Sequence, residues 1–224
     1  GRRIQRVRRA LNPLGASLPD WQIIIKVAGK MGYKMGYNGP ADIMEEIAQV
    51  APIYGGIGYD RLERAGLQWP CPDRKHPGTK ILHTTGFTRG KGRLIPVHYK
   101  PPAEVPDDEY PFLLTTGRLL YHYHSGSMTR RSKGLNSLSP ECLVEMNPLD
   151  AYKMGLKDGN VIRVTSRRGK LEAKLKVTER SAPGMVFIPF HFSEAAANLL
   201  TNDAVDPQAK IPEYKVAAVK VAKV

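Results

Sequence analysis

Only two of the 224 residues are cysteine, Cys71 and Cys142, and they stand far apart with no CxxC spacing. That excludes a metal cluster built by cysteine alone and gives no sign of a disulfide scaffold. The expectation is two reduced, partly buried thiols in a cytoplasmic protein. No apolar run approaches the roughly 18 residues of a membrane-spanning helix. The basic start, Gly1–Arg9, has no apolar stretch behind it and so does not read as a signal peptide. There is no internal repeat and no low-complexity tract. Acidic residues are outnumbered, 21 against 34 lysines and arginines, which leaves a net charge of +13 and a pI near 9.8. Such an excess calls for an anion: nucleic acid, a phosphate-bearing cofactor, an acidic partner, or solvent alone. Zinc-finger spacing, an RNP-type aromatic run and a helix-turn-helix are all missing, and the cations are dispersed.

What is present is a chain of two characters. With 42% hydrophobic and 25% charged residues it has the composition of a globular protein, large enough for one big domain or two modest ones. Residues 1–66 read as helical. Ser17 and Asp20 have the spacing of a capping box. Trp21, Ile24, Ile25, Ala28 and Met31 then recur at helical period until Gly32. Pro40 opens a second helix with Ile43, Met44, Ile47 and Val50 as its stripe, and a third is expected over Tyr59–Arg64. Both stripes read as core. Short strands are expected at Lys80–His83 and Gly92–Val97, and a Pro- and acid-rich linker puts a domain boundary near 105. Beyond it, strands are expected at 112–115, 142–146, 161–165, 171–177, 184–189 and 216–224. A hairpin turn falls at Arg167-Arg168-Gly169, and a short helix between Asn147-Pro148 and Gly155. That succession implies a small closed barrel.

Two stretches interrupt this pattern with too much chemistry for ordinary loops. Thr115–Leu135 packs glycines, hydroxyls, His122, His124, Arg118, Arg130 and Arg131 into one segment. Freed backbone N–H groups, hydroxyls and guanidiniums are the inventory for an anion such as a pyrophosphate, with Arg130 and Arg131 as further phosphate candidates. The second runs from His191-Phe192-Ser193-Glu194 through Asn198 and Asn202-Asp203 to Pro212-Glu213-Tyr214-Lys215. In a barrel such segments can meet at one end and hold a nucleotide-like cofactor. No catalytic set is present: the histidines have no nucleophile at a recognisable spacing, and the carboxylates are unpaired. Two histidines without a third ligand make a weak metal signal.

Several motifs carry a resemblance that covers essentially the whole chain. They are Thr116-Gly117-Arg118 with His122-x-His124-x-Gly126-x-Met128-Thr129-Arg130-Arg131, Asn147-Pro148-x-Asp150-Ala151 with Gly155-Leu156-x-x-Gly159, and Asn198-x-Leu200-Thr201 with Pro212-x-Tyr214-Lys215. The chain resembles the C-terminal part of the catalytic subunit of molybdenum- or tungsten-dependent formate dehydrogenases, in the bis-molybdopterin-guanine-dinucleotide oxidoreductase superfamily. Leu67–Pro72 with His76-Pro77-Gly78 is similar to the formate dehydrogenase and assimilatory nitrate reductase branch. The resemblance implies an α+β architecture. Residues 1–105 would be the end of an α/β molybdopterin oxidoreductase domain plus a connecting arm, and 106–224 a double-psi six-stranded β-barrel. It implies that Thr116, Gly117, Arg118, His122, His124, Ser125, Gly126, Met128 and Thr129 contact one pterin guanine dinucleotide, and that Phe192, Asn198, Tyr214 and Lys215 complete the pocket.

The family's iron–sulfur cysteine motif and its metal-ligating cysteine or selenocysteine are not in this sequence, so no residue here is expected to be catalytic or to ligate metal. The metal centre would come from the remainder of the catalytic subunit, as a separate chain or another part of the same one, with iron–sulfur electron-transfer subunits as partners and formate and CO2 as substrates. The chain begins without Met in what looks like the middle of a domain, so a fragment or a split-gene subunit is expected. Two other readings stay open: the same cofactor with another substrate, nitrate for example, and a non-enzymatic basic barrel that binds nucleic acid or a protein partner.

Overall fold

The computed structural model describes residues 1–224, which fall into two compact units, Gly1–Pro96 and Val97–Val224. In the first, β1 (Arg3–Ile4) pairs antiparallel with β2 (Leu67–Gln68), and two helices lie between them, α1 (Asp20–Lys30) and α2 (Pro40–Val50). Pro40 occupies the first turn of α2, where its missing N–H costs no hydrogen bond. The expected capping box does not form: Pro19 precedes α1, and the Ser17 hydroxyl donates back to the Leu14 carbonyl at 2.7 Å.

The helical stripes are not core either. Ile24 of α1 and Met31 just past its end are 58% and 80% exposed, and neither helix has a buried residue, although Met44 of α2 packs against the small core. The buried hydrophobic residues of this unit are Ile57, Leu62 and Cys71, with Ile4, Met44, Tyr54, Leu67 and Trp69 packed against them. The third expected helix is a single turn, in which Arg61 and Leu62 donate to the Gly58 carbonyl. Helix would carry the Arg61 side chain away. Instead its guanidinium ties the Gly56 carbonyl (2.6 Å) to that of His76 (2.7 Å) and so closes the loop around Cys71. The strands expected at 80–83 and 92–97 do not form, because neither segment has a partner strand to satisfy its backbone.

The second unit is a closed barrel of β3 (Phe112–Gly117), β4 (Leu143–Met146), β5 (Val161–Thr165), β6 (Lys170–Val177), β7 (Met185–Pro189) and β8 (Ala217–Lys223), in the order β3-β7-β4-β6-β5-β8. Alternate residues point inward. Leu114, Val144, Met146, Ile162, Val164, Leu171, Leu175, Val186, Ile188 and Val219 are all buried in one core. Exchanging the first three strands with the last three maps the pairing onto itself. The parallel pair β3/β7 becomes β6/β4, and the antiparallel pair β3/β8 becomes β6/β5. That internal two-fold relation is the double-psi barrel implied by the resemblance.

The sequence also places the barrel's accessories. Helix α3 (Lys133–Leu138) follows the polar stretch, and α4 (Pro148–Lys153) links β4 to β5. The Asn147 side chain accepts from Leu149 N–H to cap α4. At its other end Gly155, at φ +65°, lets Leu156 N–H reach the Ala151 carbonyl and Gly155 N–H reach that of Tyr152, a Schellman closure. The segment leading into β3 is tied down by Glu104, which accepts from Arg167 and Arg168 at 2.6 Å each.

Candidate functional site

Strand register decides which segments share a barrel end. β3 and β7 run parallel with Gly117 opposite Pro189, so the segments that follow them, 118–132 and 190–200, leave at the same end. β8 runs antiparallel to β3 with Ala217 opposite Leu114, so residues 212–216 arrive at that end as well. The polar stretches of the sequence therefore converge. Contacts close the join. Thr116 Oγ1 donates to the Tyr214 carbonyl at 2.8 Å, and Lys215 Nζ donates to the Thr116 carbonyl at 2.7 Å.

Within this end the thirteen sequence-derived residues divide by burial. Thr116, His122, Gly126 and Phe192 are buried and shape the wall, while Gly117 and Thr129 are half-buried. Arg118, His124, Ser125, Met128, Asn198, Tyr214 and Lys215 are exposed.

The partners of His122 fix its tautomer. The Ser139 carbonyl can only accept, so Nε2 carries the proton and donates to it at 2.7 Å. Nδ1 then accepts from Thr129 Oγ1 at 3.1 Å, and that hydroxyl accepts from Tyr123 N–H. Both ring nitrogens are committed, so His122 organises the loop from behind and has no free nitrogen for a ligand. The guanidinium of Arg130 is committed too. It forms a two-pronged pair with Glu194 at 2.7 Å for each bond and lies 4.8 Å from the Phe192 ring centre. That pairing holds the Glu194 carboxyl below its ordinary range. Arg131 donates to the Ser127 carbonyl.

Arg118 has no such carboxylate. It lies 5.9 Å from the Phe190 ring centre, with Lys215 Nζ 5.4 Å from the same ring. One aromatic ring is thus flanked by two cations, both on the exposed side of the join. Beside Arg118 opens a cleft of about 470 Å³ whose lining includes Tyr121, Ser139, Glu145, Lys176 and Arg180. The lining carries both signs, and Glu145 pairs with Arg180 at 3.5 Å, which leaves Arg118 and Lys176 as its cations without a carboxylate partner. Cys142 takes no part: burial first, then Glu194, pushes its thiol up to about 12, and Arg130 only partly offsets this.

Sequence reasoning missed two contributors, His191 and Phe190. His191 stood in a stretch already marked as polar, but its role depends on the parallel pairing of β3 with β7, which local pattern does not reveal.

Residues 112–218 match the family described as Molydopterin dinucleotide binding domain. This segment belongs to that family. The matched segment contains the whole of the barrel end at which Arg118 and Lys215 are exposed. The whole chain is 50% identical to the F420-dependent formate dehydrogenase subunit alpha of Methanocaldococcus jannaschii, covering 100% of this chain and 34% of that one. It is 36% identical to a nitrate reductase of Symbiobacterium thermophilum, covering 99% of this chain and 33% of that one. The chain thus spans about a third of the length of these relatives. Acetylene hydratase from Pelobacter acetylenicus shares the fold at a TM-score of 0.71 and 18% identity, over 97% of this chain and 34% of that one.

Proposed function

We propose that this chain is the dinucleotide-binding portion of a formate dehydrogenase catalytic subunit, and that its barrel end holds one pterin guanine dinucleotide of a bis-molybdopterin-guanine-dinucleotide centre with molybdenum or tungsten. The observation that carries the reading is the convergence of segments 116–131, 190–198 and 212–215, with Arg118 unpaired and Lys215 keeping two N–H donors beyond its bond to the Thr116 carbonyl. In this reading Arg118 and Lys215 neutralise phosphate charge, while Ser125, His124, Asn198 and Tyr214 supply hydrogen bonds and edges to the heterocycles. Thr116, Gly117, His122, Gly126, Thr129 and Phe192 give the wall its shape, and Met128 covers it. When bound, the metal–pterin group supplies the two-electron redox chemistry that interconverts formate and CO2. This chain's residues bind and orient it and exclude water.

The metal ligand and an iron–sulfur cluster lie outside this sequence, in the rest of the catalytic subunit, and electrons leave through iron–sulfur partner subunits in the cytoplasm. Residues 1–105 then form the end of the preceding α/β domain with its connecting arm. Formate is favoured over nitrate by the higher identity to a formate dehydrogenase, 50% against 36%. The excess positive charge meets the cofactor and not nucleic acid. The test is Arg118→Ala in the intact enzyme. Pterin content should fall several-fold while the thermal midpoint moves by less than about 2 °C, as for a surface change. Full pterin content in that variant would count against the assignment.

A further inference from the structure

His191 lies at the join between the two loops and is 1% exposed. Its ring faces inward, and both its nitrogens are engaged by the backbone of the ligand-facing loop. Leu119 N–H, which can only donate, points at Nε2 at 2.8 Å. Nε2 must therefore be the unprotonated nitrogen, and Nδ1 carries the proton. Nδ1–H donates to the His124 carbonyl, which can only accept. One neutral ring thus holds the loop at both of its ends. The second end is strained: His124 has φ +48°, a left-handed conformation that a non-glycine residue keeps only when its surroundings enforce it. Gly126, two residues on, packs so closely beneath that an added Cβ would sit 2.8 Å from the His191 carbonyl oxygen.

We propose that His191, neutral and protonated on Nδ1, is a positioning residue for the dinucleotide: it staples Leu119 to His124 and so keeps Arg118, His124 and Ser125 in their binding arrangement. The inference rests on the dinucleotide reading, and adds to it a residue that acts only through the loop. It also makes the loop acid-sensitive. An imidazolium has no lone pair on Nε2, so protonation replaces the bond from Leu119 N–H by a repulsion between two donors. The titratable and charged groups that face the ring are His122, whose ring centre is 5.5 Å away, His124 and Arg118; on its own segment it is flanked by Phe190 and Phe192. Burial first, then the neighbouring His122, Arg118 and His124, hold its pKa below the ordinary 6.5, against an opposing pull from the His124 carbonyl. The staple is therefore intact above the ordinary histidine range. It weakens as pH falls below that range towards the lowered value, because the opened loop takes up the proton first.

The test is hydrogen–deuterium exchange of residues 119–131 in the intact holoprotein, with pterin content measured on the same samples. His191→Phe keeps a planar aromatic ring, slightly larger, and removes both bonds. It should lower protection of this loop about ten-fold or more, leave β4–β6 protected as before, and lower pterin content. In the unmodified protein, loop protection, corrected for intrinsic exchange, should fall between pH 7.5 and 5.5. In His191→Gln, which does not titrate and can still accept from Leu119 N–H, that fall should disappear. An unchanged loop in His191→Phe overturns the staple. Should that variant fail to fold, a pH-independent loop in the unmodified protein, or a fall that persists in His191→Gln, overturns it instead. A loosened loop with full pterin content would leave the staple standing and sink the dinucleotide reading of this wall.

Discussion

Gly126 shows how tightly single atoms set the shape of the wall. Its φ of +73° lies in the left-handed region, and a Cβ there would meet the His191 carbonyl oxygen at 2.8 Å and the Arg130 side chain at 3.0 Å. The arginine stem can shift, but the backbone oxygen cannot. Gly126→Ala is expected to cost about 1–2 kcal/mol from the backbone conformation alone. Thermal unfolding of the intact protein should show that loss, with lower pterin content beside it. Cys142 gives a residue-scale prediction of the opposite kind, an absence of reactivity. With its thiol pushed up to about 12 and the side chain buried, almost no thiolate exists at pH 8. Iodoacetamide should leave Cys142 unmodified in the native protein and label it once the chain is denatured. Peptide mass spectrometry reads both states, and native labelling at the rate of a free thiol would contradict the burial.

Between elements, the Arg130–Glu194 pair ties the loop after β3 to the turn after β7. The Glu194 carboxyl is held low, so its share of the stability is present above the ordinary carboxylate range and is lost as pH falls through the lowered value. Half of the Glu194 side chain is exposed (51%), and solvent screening reduces the pair to about 0.5 kcal/mol. Glu194→Gln should therefore shift the thermal midpoint only slightly at pH 7, and by progressively less as pH falls below the ordinary carboxylate range; a shift that does not change with pH would show that the carboxylate charge is not what matters. The same link shows what was legible in the sequence. Leu171–Val177 alternates apolar and polar residues, and with the Arg167-Arg168-Gly169 turn before it that period places a hairpin. Tyr59–Arg64 looked helical because Leu62 and its neighbours fit the period, but Arg61 had carbonyls to gather from residues far along the chain. α3 was missed because Lys133–Leu138 contains Gly, Asn and Ser, weak helix formers, in a stretch dominated by its chemistry. The candidate site was legible as two polar stretches. Its division into outward contacts and inward supports was not, since His122 and His191 find their partners only through the barrel register.

At the scale of the whole chain, the two units differ in how much each can hold itself together. The barrel closes on itself, leaves no open sheet edge, and buries an unbroken core that runs from Leu114 to Val221. The first unit buries only three hydrophobic side chains, Ile57, Leu62 and Cys71, while Ile23, Ile24 and Val27 of α1 and Met31 just past its end are 46–80% exposed. Three buried hydrophobic side chains make a small core for a unit of this length, which leaves little apolar burial to offset the entropy of ordering it. Cys71 is a free thiol and supplies no cross-link. Expressed alone, residues 97–224 should therefore melt cooperatively, with coincident transitions by far-UV circular dichroism and tyrosine fluorescence. Residues 1–96 alone should show helical signal without a sigmoidal transition, and should associate through the apolar face of α1. Replacing Ile24 and Val27 by glutamine should suppress that association without creating a melt. A sharp, concentration-independent transition in the 1–96 fragment would mean that its core, and not apolar surface left uncovered, governs its behaviour.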